Sequence, residues 1–256
     1  MKQIFIIFMI QFIISCASER PKGKTEAEVL FKEAQELMDE ERYLLAIEKL
    51  NVIKNQFTYS YYAKPAELLH ADVLFYQENY LEAASSYMLY RDFHPKDPRI
   101  EYVIYKIAES YFMQLPDTYD RDLQSADEAI RYYEELTTKY PKTQFKNDSI
   151  EKINRCKEMK KQKDLYIADF YYRTDEYLAS RYWYKDIFKN HQEKKTKKLA
   201  AYRIIDASYK AEKYKECLEN YNLYSDQVSK SDRERIEDIQ KDCLELKETE
   251  KENTES

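Results

Sequence analysis

The chain has 256 residues, a formal net charge of −6 and 35% charged side chains. Its single glycine excludes most phosphate-cradling loops, which need backbone N–H groups free to approach an anion. The negative balance lacks the basic footprint of nucleic-acid binding, while 26 tyrosines supply large apolar bodies with polar tips, suited to helix seams and exposed contact surfaces.

Lys2 precedes an apolar run from Ile4 to Ile14, broken by Gln11 and followed by Ser15-Cys16-Ala17-Ser18. The run is too short to span a bilayer and fits a secretory signal over residues 1–15. Ile13-Ile14-Ser15-Cys16 resembles a lipobox, in which cleavage leaves the cysteine first and lipid-modified. Acyl chains contribute about 0.8 kcal/mol per buried CH₂, so Cys16 is the expected lipid-attachment residue of a long-lived membrane anchor. Ala17 rather than Asp follows it, which favours the outer membrane, with the chain facing the periplasm. Residues 16–24 form a polar tether containing Pro21 and Gly23.

Thr25 and Glu28 form a capping box that opens the first helix, with Val29, Leu30, Ala34, Leu37 and Met38 inward. Its partner helix carries Tyr43, Ala46 and Leu50 at i, i+3 and i+7, one helical face. The pattern recurs at Tyr80, Ala83, Tyr87; Ala126, Ala129, Tyr133; Tyr177, Ser180, Tyr184; and Tyr214, Cys217, Tyr221. A small residue precedes the first member at Ala34, Ala71 and Ala168, with Ala108 in the third unit. Between hairpins, Asp97 is placed to cap a helix with Pro98 in its first turn. A polar loop, Leu115 to Gln124, lengthens the third unit before Ser125 and Glu128 open its second helix as another capping box. An extended helix from about Thr143 to Asp164 lengthens the fourth.

First members are 37, 46, 51 and 37 residues apart, the two long spacings widened by that loop and that helix, and small–large seams at spacings near about 34 residues resemble tetratricopeptide repeats. No period-two alternation predicts a strand. The expected fold is all-α, a superhelix of about five helical hairpins, with repeats 1–2 over residues 25–95 and repeats 3–5 over 96–230. Ser231 and Glu234 begin a capping helix over 231–247, and the charged segment 248–256 is expected to be disordered. Cys156, Cys217 and Cys243 give no metal motif and no clear disulfide framework. Cys217 sits at a seam position, so a buried thiol is expected, with Cys156–Cys243 or Cys217–Cys243 pairing as the alternatives.

His70, His94 and His191 are far apart, none spaced with a cysteine or carboxylate as a metal pair, and no nucleophile motif is present. The reading is non-enzymatic, without cofactor or metal. Lys160–Lys163 and Lys194–Lys198 are basic runs that read as solvated faces. Two segments stand out. Phe57-Thr-Tyr-Ser-Tyr-Tyr62 puts four aromatics at an inter-repeat turn, too many to bury at once, so some are expected to face a groove. Tyr119-Asp120-Arg121-Asp122 alternates charge in the insertion loop, as a local staple or a docking point.

Together, the lipobox, the five repeats and the long third-unit loop resemble the BamD family, lipoproteins of the outer-membrane β-barrel assembly machine. The likeness is carried by His94-Pro95 with Pro98-Arg-Ile-Glu-Tyr-Val-Ile-Tyr105, by Tyr119–Asp122 with Ala126, Ala129 and Tyr140-Pro-Lys-Thr-Gln-Phe145, and by Ile167-Ala-Asp-Phe-Tyr-Tyr172, over roughly Glu26 to Glu219. The resemblance implies a periplasmic scaffold whose first two repeats receive unfolded outer-membrane protein precursors. Its later repeats would hold the periplasmic domains of the barrel insertase. Phe57, Tyr59 and Tyr62 match the family's aromatic turn, with Thr58, Ser60 and Tyr61 in place of its Pro and Gly. Tyr43 and Tyr80 complete the expected peptide-binding groove. Trp183 aligns with a family arginine that contacts the insertase, and with Arg181, Asp120, Arg121 and Asp122 makes the expected docking set. Other repeat lipoproteins, pilotin-like or peptidoglycan-associated, are the alternative reading.

Overall fold

The structure is a computed structural model that describes residues 21–255, so Cys16 and the signal lie outside the described residues. Eleven α-helices are present among them: α1 Glu26–Asp39, α2 Tyr43–Gln56, α3 Ala63–Tyr76, α4 Tyr80–Phe93, α5 Ile100–Phe112, α6 Gln124–Lys139, α7 Lys146–Arg173, α8 Tyr177–Asn190, α9 Lys194–Lys210, α10 Tyr214–Tyr224 and α11 Arg233–Glu255. Two 3₁₀ turns, Ser225–Gln227 and Lys230–Asp232, join the last pair, and no strand occurs among the described residues. The helices follow one another as hairpins, the all-α tetratricopeptide-type architecture the seams predict.

Those seams are where the sequence places them. The middle members Ala46, Ala83, Ala129, Ser180 and Cys217 are all fully buried, as are Ala34, Ala71, Ala108 and Ala168. Small side chains here let two helix axes approach while Leu50, Tyr87, Tyr133 and Tyr184 fill the space beyond. The chain divides into two compact units: Met1–Gln114 with Glu128–Ile150, and Leu115–Asp127 with Glu151–Ser256. In the first unit Leu30, Ala34, Ala46, Leu50, Ile53, Ala66 and Val73 form one core cluster. In the second, Ala168, Tyr184, Ile187, Ala200 and Ile204 form one, and Ala201, Ile205, Cys217, Val228, Ile236, Ile239 and Cys243 another.

Four hairpins turn in the same way. The residue two before each second helix, Glu41, Glu78, Asp175 or Glu212, has φ near +60°. The next N–H closes a long-reach bond to the first helix: Arg42 to Leu37, Asn79 to Leu74, Glu176 to Tyr171 and Lys213 to Ser208, at 2.8–3.1 Å. This is the Schellman ending that normally takes glycine, and acidic residues occupy it here at a conformational cost.

Several boundaries differ from expectation. The Thr25 hydroxyl caps the Glu28 N–H at 3.2 Å, but the Glu28 carboxylate accepts from the Lys24 N–H at 2.9 Å instead of closing the box. Helix α6 begins at Gln124, not Ser125; Asp122 accepts its first N–H at 3.2 Å and Glu128 pairs with Arg131. Ser231 falls in a 3₁₀ turn in which the Ser229 hydroxyl bonds Asp232 at 2.6 Å. The extended fourth-unit helix does not stop at Asp164: α7 is one helix of 28 residues carrying Ala168 near its end. Helix α11 runs to Glu255 through the segment read as disordered, since Glu and Lys are strong helix formers even without an apolar stripe. Cys217 is no buried thiol. It is disulfide-bonded to Cys243 across a Cα–Cα distance of 6.6 Å, tying α10 to α11, and Cys156 stays free and buried.

Candidate functional site

In the first unit, the turn from α2 to α3 is a chain of short-range bonds. Phe57 N–H reaches the Ile53 carbonyl, Ser60 N–H the Phe57 carbonyl, and Ala63 N–H the Ser60 carbonyl, at 2.9–3.2 Å. Such tight winding throws successive side chains to different sides. Phe57 and Tyr62 turn inward onto the core cluster, where Tyr43 also packs, and the Tyr62 ring lies 5.5 Å from Phe31 on α1. Tyr59 is wholly exposed and Tyr61 is 85% exposed. Three of the five expected groove residues, Tyr43, Phe57 and Tyr62, therefore pack on one core cluster, and Tyr59 projects from the turn. Tyr80 does not join them: its ring packs edge-on to Phe75 at 5.3 Å.

Beyond Phe75 lies a polar cluster that the seams alone do not reveal. Tyr87 and Tyr102 both donate hydroxyls to Asp72 Oδ1, at 2.5 and 2.6 Å. Burial raises the Asp72 pKa against these two bonds, and it pushes the Tyr87 phenol far up. Lys106 Nζ sits 3.2 Å from the Phe75 ring centre, a cation held over an aromatic face. A second hub closes the end of the same hairpin. Asp97 accepts from Arg99 N–H (2.8 Å), Arg99 Nε (3.0 Å), the Tyr90 hydroxyl (2.8 Å) and Lys64 (2.9 Å). The Arg99 side chain, followed by Lys64, holds its carboxyl well below the usual range although burial opposes this. Asp97 is not the expected helix cap: α5 starts at Ile100, after Pro98 and Arg99, with no side-chain cap, and Asp97 instead holds Arg99 and draws in Tyr90 from α4 and Lys64 from α3.

In the second unit the expected docking residues separate into two groups. Asp120, Arg121 and Asp122 are exposed in the insertion loop. Lys163 donates to the Arg121 carbonyl at 2.7 Å, and Thr118 bonds the Asp120 carboxylate and lowers its pKa. The loop is thus fixed by backbone and capping bonds, with no ion pair among these three side chains. Arg181 pairs with Glu216 at 2.5 Å, and Trp183 packs half-buried on the cluster around Ala168 and Tyr184. No hydrogen bond or ion pair joins the two groups among the described residues.

Sequence reasoning missed a cavity of about 610 Å³ beside the loop. Tyr119, Leu165, Tyr166, Tyr172, Arg173 and Arg203 line it. Tyr119 stands edge-on to Tyr166 at 6.0 Å, and the Arg203 guanidinium lies 4.0 Å from the Tyr172 ring. The signal was present in Tyr119 and in the aromatic run ending at Tyr172, but their meeting depends on how the loop folds against α7. Among the described residues, no group of three or more His, Cys, Asp or Glu side chains could hold a metal ion. No helix there is long and apolar enough to cross a membrane.

Three relatives share most of the chain, all described as outer membrane protein assembly factor BamD. The Rickettsia prowazekii protein is 27% identical over 194 residues, covering 75% of this chain and 77% of its own. The Caulobacter vibrioides protein is 23% identical over 209 residues (80% and 68%), and the Neisseria gonorrhoeae protein 20% identical over 209 (75% and 78%). A solved structure described as the TPR2AB-domain:pHSP90-complex of yeast Sti1 aligns with a TM-score of 0.41 at 14% identity, covering 88% of this chain and 86% of that one. The family YfiO, described as outer membrane lipoprotein, matches residues 23–223. With most of its length inside that match, the chain belongs to the YfiO family of outer membrane lipoproteins.

Proposed function

We propose that the protein is a non-enzymatic scaffold, lipid-anchored through Cys16 on the periplasmic face of the outer membrane, that assists β-barrel assembly. Its first unit receives extended segments of unfolded outer-membrane protein precursors on the wall of Tyr43, Phe57 and Tyr62, with Tyr59 projecting beside it. Its second unit docks the periplasmic domains of the barrel insertase through the insertion loop and the aromatic cavity next to it. Membership of a family of outer membrane lipoproteins, with relatives named as assembly factors, carries this reading.

Capture needs no bond-making. Barrel-forming strands alternate apolar and aromatic side chains with polar ones, and an aromatic wall can stack on every second residue. Each aromatic pair contributes on the order of 1 kcal/mol beyond area burial, whereas ordering a flexible peptide costs free energy. Weak, reversible holding follows, which suits transfer to an insertase. The test is binding of a peptide with the terminal-strand pattern of a barrel protein. Replacing Tyr59 and Tyr62 by alanine should weaken it about tenfold or more. Unchanged affinity would remove this wall from the account.

A further inference from the structure

Antiparallel helices return the end of α2 to the level at which α1 begins, so the tyrosine turn and the entering chain share one end of the first hairpin. The Phe31–Tyr62 contact, and the Tyr61 ring 5.3 Å from Tyr62, fix that juxtaposition. The entering segment is fixed as well. Lys32 Nζ donates to the Lys22 carbonyl at 2.9 Å and pairs with Glu28 at 2.9 Å, and Glu28 also accepts the Lys24 N–H. Between the two lysines lies the only glycine of the chain. A Cβ on Gly23 would stand 3.1 Å from Glu28 Cβ and Cγ and from Val29 Cγ2, so the backbone lies close against α1 and a side chain here would crowd those neighbours.

The surface around this exit point has a particular composition. Tyr59 and Tyr61 project, Lys22 and Lys24 are exposed, and the Glu28 carboxylate beside them is already engaged by Lys32 and Lys24. In a chain of net charge −6, two exposed tyrosines and two exposed lysines at one end of a hairpin stand out. Tyrosine places an apolar ring and a polar tip at the two sides of a lipid headgroup layer, and lysine meets anionic phosphates. From Cys16 to Lys22 the chain can span no more than about 20 Å even fully extended. An anchor at Cys16 therefore keeps this end of the hairpin within about 20 Å of the bilayer surface.

We propose that the α2–α3 turn and the entry segment form a membrane-contacting surface, with Tyr59 and Tyr61 at headgroup level and Lys22 and Lys24 facing anionic lipid. The proposal rests on the lipid anchor of the function proposed above but not on peptide capture, and Tyr61 belongs to the membrane contact alone. A bilayer suits side chains that stand clear of the fold, whereas a peptide needs the inward wall of Phe57 and Tyr62. One acylated residue fixes position but not orientation; a second contact beside it holds the first unit at a set angle to the membrane.

The experiment uses the full lipidated chain in vesicles of phosphatidylethanolamine and phosphatidylglycerol, with a nitroxide at Tyr61→Cys and, separately, at Tyr182→Cys, an exposed position in the second unit. Cys217 and Cys243 are bonded and Cys156 is buried, so labelling is confined to the introduced thiol. The label at 61 should collide with oxygen more and with an aqueous nickel chelate less than the label at 182. Adding Lys22→Glu with Lys24→Glu should return it toward water. Equal accessibility at 61 and 182 would overturn the proposal, as would protection at 61 in native membranes but not in lipid vesicles, which assigns the surface to a protein partner. If the label at 61 is immersed while the Tyr59 and Tyr62 replacements leave peptide binding unchanged, capture fails and the membrane contact stands; the opposite pair of results separates them the other way.

Discussion

The second hairpin, α3–α4, and the fourth, at the end of α7 with α8, repeat the same polar devices in the same register. In each, a tyrosine at the seam donates to an aspartate 15 residues earlier: Tyr87 to Asp72 and Tyr184 to Asp169, both at 2.5 Å. In each, a histidine that ends the second helix bonds a carboxylate 27 residues earlier: His94 with Glu67 at 2.7 Å and His191 with Asp164 at 2.9 Å. Glu78 and Asp175 make the same left-handed turn. These bonds connect the two helices of one hairpin, so they travel with the repeat. What differs connects a hairpin to its neighbour. Tyr90, buried in the second hairpin, reaches Asp97 and through it Arg99 and Lys64, while Ile187 in the fourth is an apolar core residue. His70 lies one position before Ala71, where the fourth hairpin has Ile167 before Ala168. Repeats thus keep their internal polar staples and vary the joints.

Removing the joint should have the largest effect. Asp97→Ala leaves the buried Tyr90 hydroxyl and two cations without their shared acceptor, and should cost the first unit about 2–3 kcal/mol. Native-state hydrogen exchange should show the loss in helices α3 to α5 and not in α8 or α9; a uniform loss would mean that the hub is not local.

A smaller difference should follow from His70. Burial, then the charge of Lys54, lowers its pKa to about 4, and its buried Nδ1 has no hydrogen-bond partner among the described residues. The unfolded histidine titrates near 6.5, so between about 6.5 and about 4 the unfolded chain binds the extra proton. Stability from this group falls as pH drops through that window and levels off below it. His70→Ile, which copies the fourth hairpin, should flatten the dependence of the urea midpoint on pH there; parallel curves for the two proteins would reject this assignment.

The smallest effects should be gains common to both hairpins. Glu78→Gly and Asp175→Gly each relieve a left-handed backbone and should raise stability by about 0.5–1 kcal/mol, read as matched shifts in the denaturation midpoint. A gain at one site only would show that the two turns are not equivalent.

The hairpin framework was legible because small residues recur on one helical face, and nothing but close helix packing explains Ala46, Ala83, Ala129 and Ser180 together. The turns were less legible, since four left-handed positions carry Glu or Asp and lack the glycine that signals them. Capping boxes at Ser125 and Ser231 misled by a residue or more: Asp122 accepts the Gln124 N–H one residue early, and the Ser231 hydroxyl meets that of Ser229, which donates to the Asp232 side chain. At the aromatic turn, composition said that some rings must be exposed; that Tyr59 and Tyr61 project while Phe57 and Tyr62 pack follows from the turn's winding. Tyr80 was expected with them in the groove, yet its ring packs on Phe75 of its own hairpin. Trp183 and Arg181 were located by resemblance to a contact surface, and locally each is engaged with its own unit. The disulfide was one of two pairings held behind a buried thiol, because Cys217 and Cys243 lie on helices whose approach no spacing rule encodes.

That bond bears on how the array comes apart. Stacked hairpins ordinarily fray from their ends, where a terminal helix has a neighbour on one side only. Here α11 cannot leave α10 at Cys243 without breaking a covalent link, so in an oxidising compartment the two helices stay joined at that point even when the packing around it opens.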